Sequence, residues 1–341
     1  MKPEFQLAFL NKIQRLFAEG DFTASYKYAL LIAIADIAVE SGRDDEQPLT
    51  IPHRRLGEKF IELYWQQSAP FKGDGVLIQN NASQAAVISE IAQFRSKHQA
   101  STVATARLLI GYKQLSRSVT NTVVAYPVKH LQNLGGKKGK LEQFLFYMDT
   151  DSITLLPGVA YCLRRFQPLV QQLARSHWID HIKRNKQNTA LLGQDNDLEA
   201  FLFETSRQSL VIVQMGLRKI SNKCFYCGST VNDADVDHFI PHSLYPRDLV
   251  HNFVLAHPSC NRSKSDTLAA KAHLHRWLEF VQSNADNLSQ IGSQAGIMAD
   301  ERSMDSVARW GYANAVAGGG QGWVKPNLYE PIDITYLKAW A

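Results

Sequence analysis

The sequence predicts a mixed α+β fold, mainly helical, and three observations carry that prediction. Apolar residues recur at helical spacing through most of the first half and again after residue 268. Short β-type runs (residues 123–126, 144–147 and 153–156) are confined to residues 119–157. Two pairs of soft metal ligands, Cys224 with Cys227 and His257 with Cys260, sit close together in a chain that has only four cysteines.

The helices are expected in order. Phe5 to Phe17 places apolar residues on one helical face, and Asp21 or Thr23 is positioned to cap a second helix ending near Ser41-Gly42. A third starts after Pro52 and runs through Phe60 and Trp65. Residues 83–97 form another, with Ala86, Val87, Ile91 and Phe94 on one face, after a Pro/Gly/Asn-rich loop over 70–82. The basic segment 135–140 reads as a turn between two strands. A long helix is expected over 158–186, its cationic end suiting the helix dipole or a phosphate. Asn196 with Glu199 resembles a capping box opening a helix to about Ile220. Helices follow over 268–281 and 303–316, with a glycine-rich break at 318–322.

A chain of 341 residues has room for two domains. Its net charge of +5 permits a polyanionic partner without requiring one. The N-terminus lacks a secretory pattern. The most apolar stretch, 28–39, is too short to span a bilayer and contains Asp36, so no membrane partner and a cytoplasmic location are expected. Cys162 stands apart on a helical segment and reads as a small buried hydrophobe.

Two sites are legible between residues 224 and 264. Cys224, Cys227, His257 and Cys260 supply four N/S ligands, which satisfy tetrahedral Zn²⁺ with no open position, so this zinc is structural. Gly228 follows the first pair and permits its tight turn. The second site is hydrolytic. His238 is the candidate general base, the residue type suited to that role, Asp237 and Asn261 offer hard oxygens suited to Mg²⁺ or Mn²⁺, and Asn252 is placed to fix the His238 tautomer. Arg262 and Lys264 are expected at phosphate oxygens.

The order Cys-x-x-Cys, Asp-His-x-x-Pro, Asn-Phe, His-x-x-Cys-Asn-x-x-Lys resembles the zinc-containing branch of the HNH endonucleases, the ββα-metal finger. The resemblance implies an α+β chain carrying a treble-clef-like HNH finger. Strands would lie near 236–240, limited by Pro241, and near 254–255, and a helix would begin at Cys260-Asn261. It implies His238 as general base, Asn252 as the middle asparagine, and Asn261 in place of the final histidine. Asp237 would be the carboxylate ligand of the catalytic metal. His257 stands where cysteine is more usual. The longer stretch from Phe201 to Trp277 resembles bacterial HNH proteins with a helical N-terminal region, some of which serve in phage defence.

The expected organisation is a helical domain over 1–195 for substrate or partner recognition, a nuclease domain over 196–285 with its core at 220–265, and a helical extension over 286–341. The partner implied is nucleic acid, most naturally DNA, with a homodimer or a defence-system protein as further partners. Two other readings compete. One is a treble-clef module that binds nucleic acid without cutting it, which has no use for Asp237, His238 and Asn252 together. The other is a second zinc at His177 and His181, which lacks the glutamate after the first histidine that a metalloprotease helix requires.

Overall fold

A computed structural model describes residues 1–81, 83–135, 140–193 and 197–340. The protein is 59% helical with small sheets. It divides into two compact units, Met1–Glu204 and Thr205–Ala341.

The first unit is built on helices α1 (Pro3–Glu19), α2 (Tyr26–Ser41), α3 (His53–Trp65) and α4 (Ala86–His98). The short α5 (Val103–Ala106), α6 (Tyr112–Val123), α7 (Val159–Arg165), α8 (Gln167–Arg184), α9 (Thr189–Leu192) and α10 (Leu198–Phe203) complete its helices. Helix α2 is apolar on every side and is buried on every side, packed on α3, α7 and α8. Its two acids are partnered: Gln171 Nε2 donates to Asp36 at 2.6 Å, and Arg55 and Lys59 reach Glu40. The α3–α6 crossing needs Gly57, because a Cβ there would collide with the Thr120 hydroxyl. Strands β1 (Leu49–Pro52), β4 (Phe146–Met148) and β5 (Ser152–Leu155) form an antiparallel sheet in the order β1-β5-β4. A two-residue ladder pairs β2 (Asn133–Leu134) with β3 (Lys140–Leu141). Residues 136–139 of the expected basic turn, and Asn196 of the expected capping box, lie outside the described residues.

Four expectations need correction here. Residues 123–126 are not a strand: they finish α6 and enter a π-helical turn, Val124–Val128, because a short apolar run fits a half-buried helix as well as a strand. The expected helix over 158–186 breaks at Phe166, since Pro168 near the start of α8 brings no N–H for an uninterrupted ladder. The expected helix to Ile220 ends at Phe203 and restarts as α11 (Arg207–Ile220), capped by the Ser206 hydroxyl accepting from Ser209 N at 3.2 Å. Helix α2 begins at Tyr26, so neither Asp21 nor Thr23 caps it.

The second unit contains α11, strands β6 (Asp235–His238) and β7 (Phe253–Ala256), and helices α12 (Pro258–Lys264), α13 (Lys271–Ser283), α14 (Ala285–Ala295) and α15 (Glu301–Gly318). Its last strands, β8 (Gln321–Lys325) and β9 (Leu328–Pro331), form an antiparallel hairpin, which corrects the expectation of a helical extension over 286–341: the glycine-rich break at 318–322 ends α15 and the chain returns as strands. Strands β6 and β7 pair antiparallel with Asp237 opposite Val254 and His238 opposite Phe253. With α12 they form the ββα unit.

The segments after α12 hold that unit in place. Trp277 of α13 stacks on Phe239 at 4.8 Å and donates its indole N–H to the His251 carbonyl at 3.1 Å. Trp323 of β8 packs edge-on against Tyr226, and its indole N–H donates to the Ser263 hydroxyl at 3.1 Å. The backbone around Trp323 exchanges 2.8 Å hydrogen bonds with Leu268 and Ala270. Among the described residues no helix is long and apolar enough to cross a membrane.

Candidate metal centre and catalytic site

The first pair of ligands folds as a tight knuckle. Lys223 bridges to Thr230, Cys224 N donates to the Ser229 carbonyl at 2.8 Å, and Gly228 N donates to the Cys224 carbonyl at 2.9 Å. Gly228 turns the chain at φ +75°, where a side chain would be strained. The second pair comes from the start of α12, with His257 just before it and Cys260 in its first turn. Strand β7 runs directly into His257, so the hairpin carries one pair to the other.

The ligand atoms of Cys224, Cys227, His257 and Cys260 lie within 4.8 Å of one another. Zinc bonds of about 2.0–2.3 Å set tetrahedral ligands roughly 4 Å apart, so this donor set fits the ion. His257 is held for the purpose: its Nδ1 faces Cys227 Sγ at 3.3 Å while Nε2 donates to the Thr230 carbonyl at 3.1 Å, which leaves the Nδ1 lone pair directed inward. Burial opposes ionisation of Cys227, but hydrogen bonds from Ser229, Cys224 and His257 bring its thiol down to about 7. Burial and the neighbouring Cys224 and Cys227 push Cys260 up to about 12. Crowded thiols ionise in succession only against mutual repulsion, and a central dication removes that repulsion.

His238 lies on the opposite face of β6 from Asp237, as strand alternation requires. Its ring contacts His242 and Phe253, and its Nε2–H donates to Asp248 Oδ1 at 2.5 Å. Nδ1 is the nitrogen left to take a proton, and the side chain remains 23% exposed. Burial opposes the charge on Asp248, yet hydrogen bonds from His238 and Thr205 and the nearby His242 hold its carboxyl below the usual range. A carboxyl lowered by folding stabilises the protein above its unfolded value of about 4 and loses that contribution as pH falls through the folded value. Acid denaturation followed by tryptophan fluorescence should therefore show a shallower loss of stability below about pH 4 in Asp248→Asn than in wild type. Identical acid limbs in the two proteins would show that this interaction contributes nothing.

Among the described residues Asn252 makes no hydrogen bond to the His238 ring, which corrects the role expected for it. The residue is fully buried, and its amide clamps both backbone groups of Ile240: Ile240 N donates to Oδ1 at 2.8 Å and Nδ2 donates to the Ile240 carbonyl at 2.9 Å. The loop leaving β6 thus keeps its backbone satisfied where no ladder continues. Asn252→Ala orphans two buried backbone groups, at about 1–3 kcal/mol each. Urea denaturation of the metal-loaded protein should show a loss of about 2–5 kcal/mol. A loss under about 1 kcal/mol would mean that water replaces the clamp.

The other face of β6 carries Asp235 and Asp237. Lys264 is fully buried and donates to Asp237 Oδ2 at 3.2 Å and to the His238 carbonyl at 3.0 Å. The phosphate contact expected of Lys264 is therefore corrected: the last turn of α12 points its ammonium into the unit, where the buried carboxylate attracts it. Tyr226 OH donates to the same Asp237 oxygen at 2.5 Å. Burial raises the Asp237 carboxyl above its ordinary value despite Lys264 and Tyr226. Asn261 Nδ2 donates to Asp235 Oδ2 at 3.1 Å, leaving the amide carbonyl oxygen without a hydrogen bond among the described residues. Arg262 is exposed on the same helix.

The structure thus brings the four N/S ligands together, and it gathers Asp235, Asp237, Asn261 and Lys264 beside one another. It commits the Asn252 amide to the Ile240 backbone rather than to the His238 ring. Asp235, Tyr226 and Asp248 were not singled out from sequence. Asp235 was accessible in principle, because a residue two before Asp237 shares its strand face. Asp248 and Tyr226 carry no local signal, since both reach the site through tertiary packing. His177 and His181 have partners within the N-terminal unit: the first stacks on Phe17 at 4.6 Å, and the second lies 3.4 Å from the Gln79 carbonyl. Cys162 is buried, as expected, and burial pushes its thiol up to about 11.

A paired-ligand knuckle, a ββα unit and an Asp-His strand end define an HNH finger, and residues 224–267 match the HNH endonuclease family. The chain therefore carries a nuclease-type domain that acts on nucleic acid. Over residues 6–202 it belongs to the family described as a domain of unknown function (DUF8808). No curated protein and no solved structure matches it.

Proposed function

We propose that this protein is a metal-dependent endonuclease that hydrolyses phosphodiester bonds in DNA, with structural Zn²⁺ at Cys224, Cys227, His257 and Cys260. The single observation that carries the reading is the His238 ring, partly exposed at the end of β6 and fixed at Nε2 by Asp248 so that Nδ1 is free. A binding module would have no need of a histidine held in one tautomer by a charged partner.

Asp237 and Asn261 would hold Mg²⁺ or Mn²⁺, whose positive charge, when bound, offsets the charge that builds on the phosphate. Their donors fit a hard cation: a carboxylate, and an amide whose NH₂ is already taken by Asp235 so that its carbonyl oxygen is the free end. Lys264 supplies positive charge to Asp237 in the structure, so cation binding exchanges one positive partner for another. His238 Nδ1 takes the proton of the attacking water. Asp248 stabilises the imidazolium that results, as a fixed carboxylate does for a base histidine. Arg262 is exposed to contact a phosphate oxygen. Attack on phosphorus with departure of the 3′ oxygen leaves a 5′ phosphate.

The test is conversion of supercoiled plasmid by the full-length, zinc-loaded chain with Mg²⁺ or with Mn²⁺, and with neither. Nicked or linear product that requires the added ion supports the reading. Retention of plasmid without cleavage under every ion would favour the binding module.

A further inference from the structure

We propose that the N-terminal unit carries its own nucleic-acid-binding face, formed by α6 and the π-helical turn that continues it. From Ile91 to Leu141 the sequence contains no aspartate or glutamate, while it holds nine lysines and arginines. The rest of the chain has 28 cationic against 32 acidic side chains, so the positive balance of the whole protein resides in this segment. A merely solvated helix carries both signs, whereas a surface of one sign is suited to a polyanion.

The structure places three of those charges on one face, while Arg107 is paired with Glu62 at 2.7 Å and Arg95 donates to the Trp65 carbonyl at 2.8 Å. Helix α6 buries Leu115, Val119 and Val123 against the unit, in part on α3, and turns its other side outward. Lys113, Arg117 and Lys129 are all exposed on this outward side, and none has an ion-pair partner among the described residues. Tyr126, 59% exposed, lies among them. Residues 112–128 span about 25 Å at helical rise, a length of duplex carrying on the order of 15 phosphate charges.

At the N-terminal end of this stripe stand two large apolar side chains, Leu108 at 79% and Ile110 at 94% exposed. Their turn is rigidly built. A Thr102–Thr105 capping box fixes α5, Leu108 N and Leu109 N bond back to its carbonyls at 3.2 and 3.0 Å, and Gly111 enters α6 at φ +101°. A fixed turn that exposes leucine and isoleucine beside unpaired cations suits contact with sugars and bases alongside phosphates. Nucleic acid is the occupant this charge pattern and the HNH domain of the same chain both favour. The proposal requires binding only, and stands apart from whether His238 cuts.

Fluorescence anisotropy of a labelled 30-base-pair duplex, measured with the full-length zinc-loaded chain and no added Mg²⁺ or Mn²⁺, tests it. Lys113→Glu/Arg117→Glu/Lys129→Glu should weaken binding at least about tenfold and lower the slope of log affinity against log salt by about 0.9 for each phosphate no longer neutralised. Lys2→Glu/Arg43→Glu/Lys219→Glu changes net charge equally at scattered exposed sites and should leave the slope near wild type. Leu108→Ser/Ile110→Ser should weaken binding severalfold with the slope retained, since it removes apolar surface only. Circular dichroism melts confirm that each variant is folded. Equal binding by the two charge-reversal triples overturns the proposal, as does a wild-type chain that binds phosphatidylserine vesicles but not the duplex. Binding abolished in the stripe variant, in a protein that never cleaves plasmid, would sustain this inference while removing the nuclease reading.

Discussion

Cys260→Ser should leave the protein with no bound zinc and with the region from Lys223 to Lys264 unfolded. A hydroxyl is a poor zinc ligand, and three remaining donors cannot close a tetrahedral structural site. The free energy at stake is on the order of 10 kcal/mol, because binding and folding of such a site are one event. The finger's buried apolar side chains, Phe239, Ile240, Tyr245, Phe253 and Val254 among them, do not all pack within it: Phe239 is stacked on Trp277 of α13. Metal content by mass spectrometry, with amide exchange over the finger, measures the effect. Wild-type protein should hold one zinc per chain with its β6–β7 amides protected. A serine variant that keeps both its zinc and that protection would show that Cys260 is not a ligand.

His238→Ala should lower the rate of metal-dependent plasmid cleavage by about 10²–10⁴, the usual worth of a general base. Zinc content should be unchanged, since the ring is bonded to Asp248 and is not one of the four clustered ligands. Stability should fall by about 1–3 kcal/mol, as removing the ring leaves a largely buried carboxylate with one fewer donor. The two effects separate: Asp248→Asn, which keeps the ring and its position, should cost less in rate than His238→Ala. If His238→Ala cuts as fast as wild type, the activity lies elsewhere or belongs to a contaminant. If both are inert while zinc-loaded, the finger is a binding module.

How much of this was legible beforehand follows from the range over which each signal acts. The four N/S ligands were readable because their spacing is local: each pair sits within one turn, and only soft donors at that gap satisfy zinc. The Asp-His strand was readable for the same reason, with Pro241 just beyond it, whereas the helix expected from Cys260-Asn261 starts two residues earlier, at Pro258. Helix boundaries failed where a single residue outweighs periodicity, as Pro168 does in splitting α7 from α8. The 123–126 run failed because four apolar residues fit either period.

The partners of the candidate site residues were another matter. Asp248 lies ten residues after His238 in an irregular loop, and its contact with the ring depends on how that loop is pinned by Val250 N donating to the Met298 carbonyl, far along the chain. Lys264 reads from sequence as an exposed cation on a short helix, yet it is buried because Asp237 and the His238 carbonyl meet its ammonium inside. Asn252 reads as a partner of the base, yet its amide is committed to the Ile240 backbone, which has no strand neighbour to bond. By itself the sequence determined the four-ligand cluster and the HNH motif around it, since ligand type and spacing are local properties of the chain. Only the tertiary structure decided which polar group faces which, because a buried donor or acceptor takes whatever partner the packing of distant segments brings within about 3 Å.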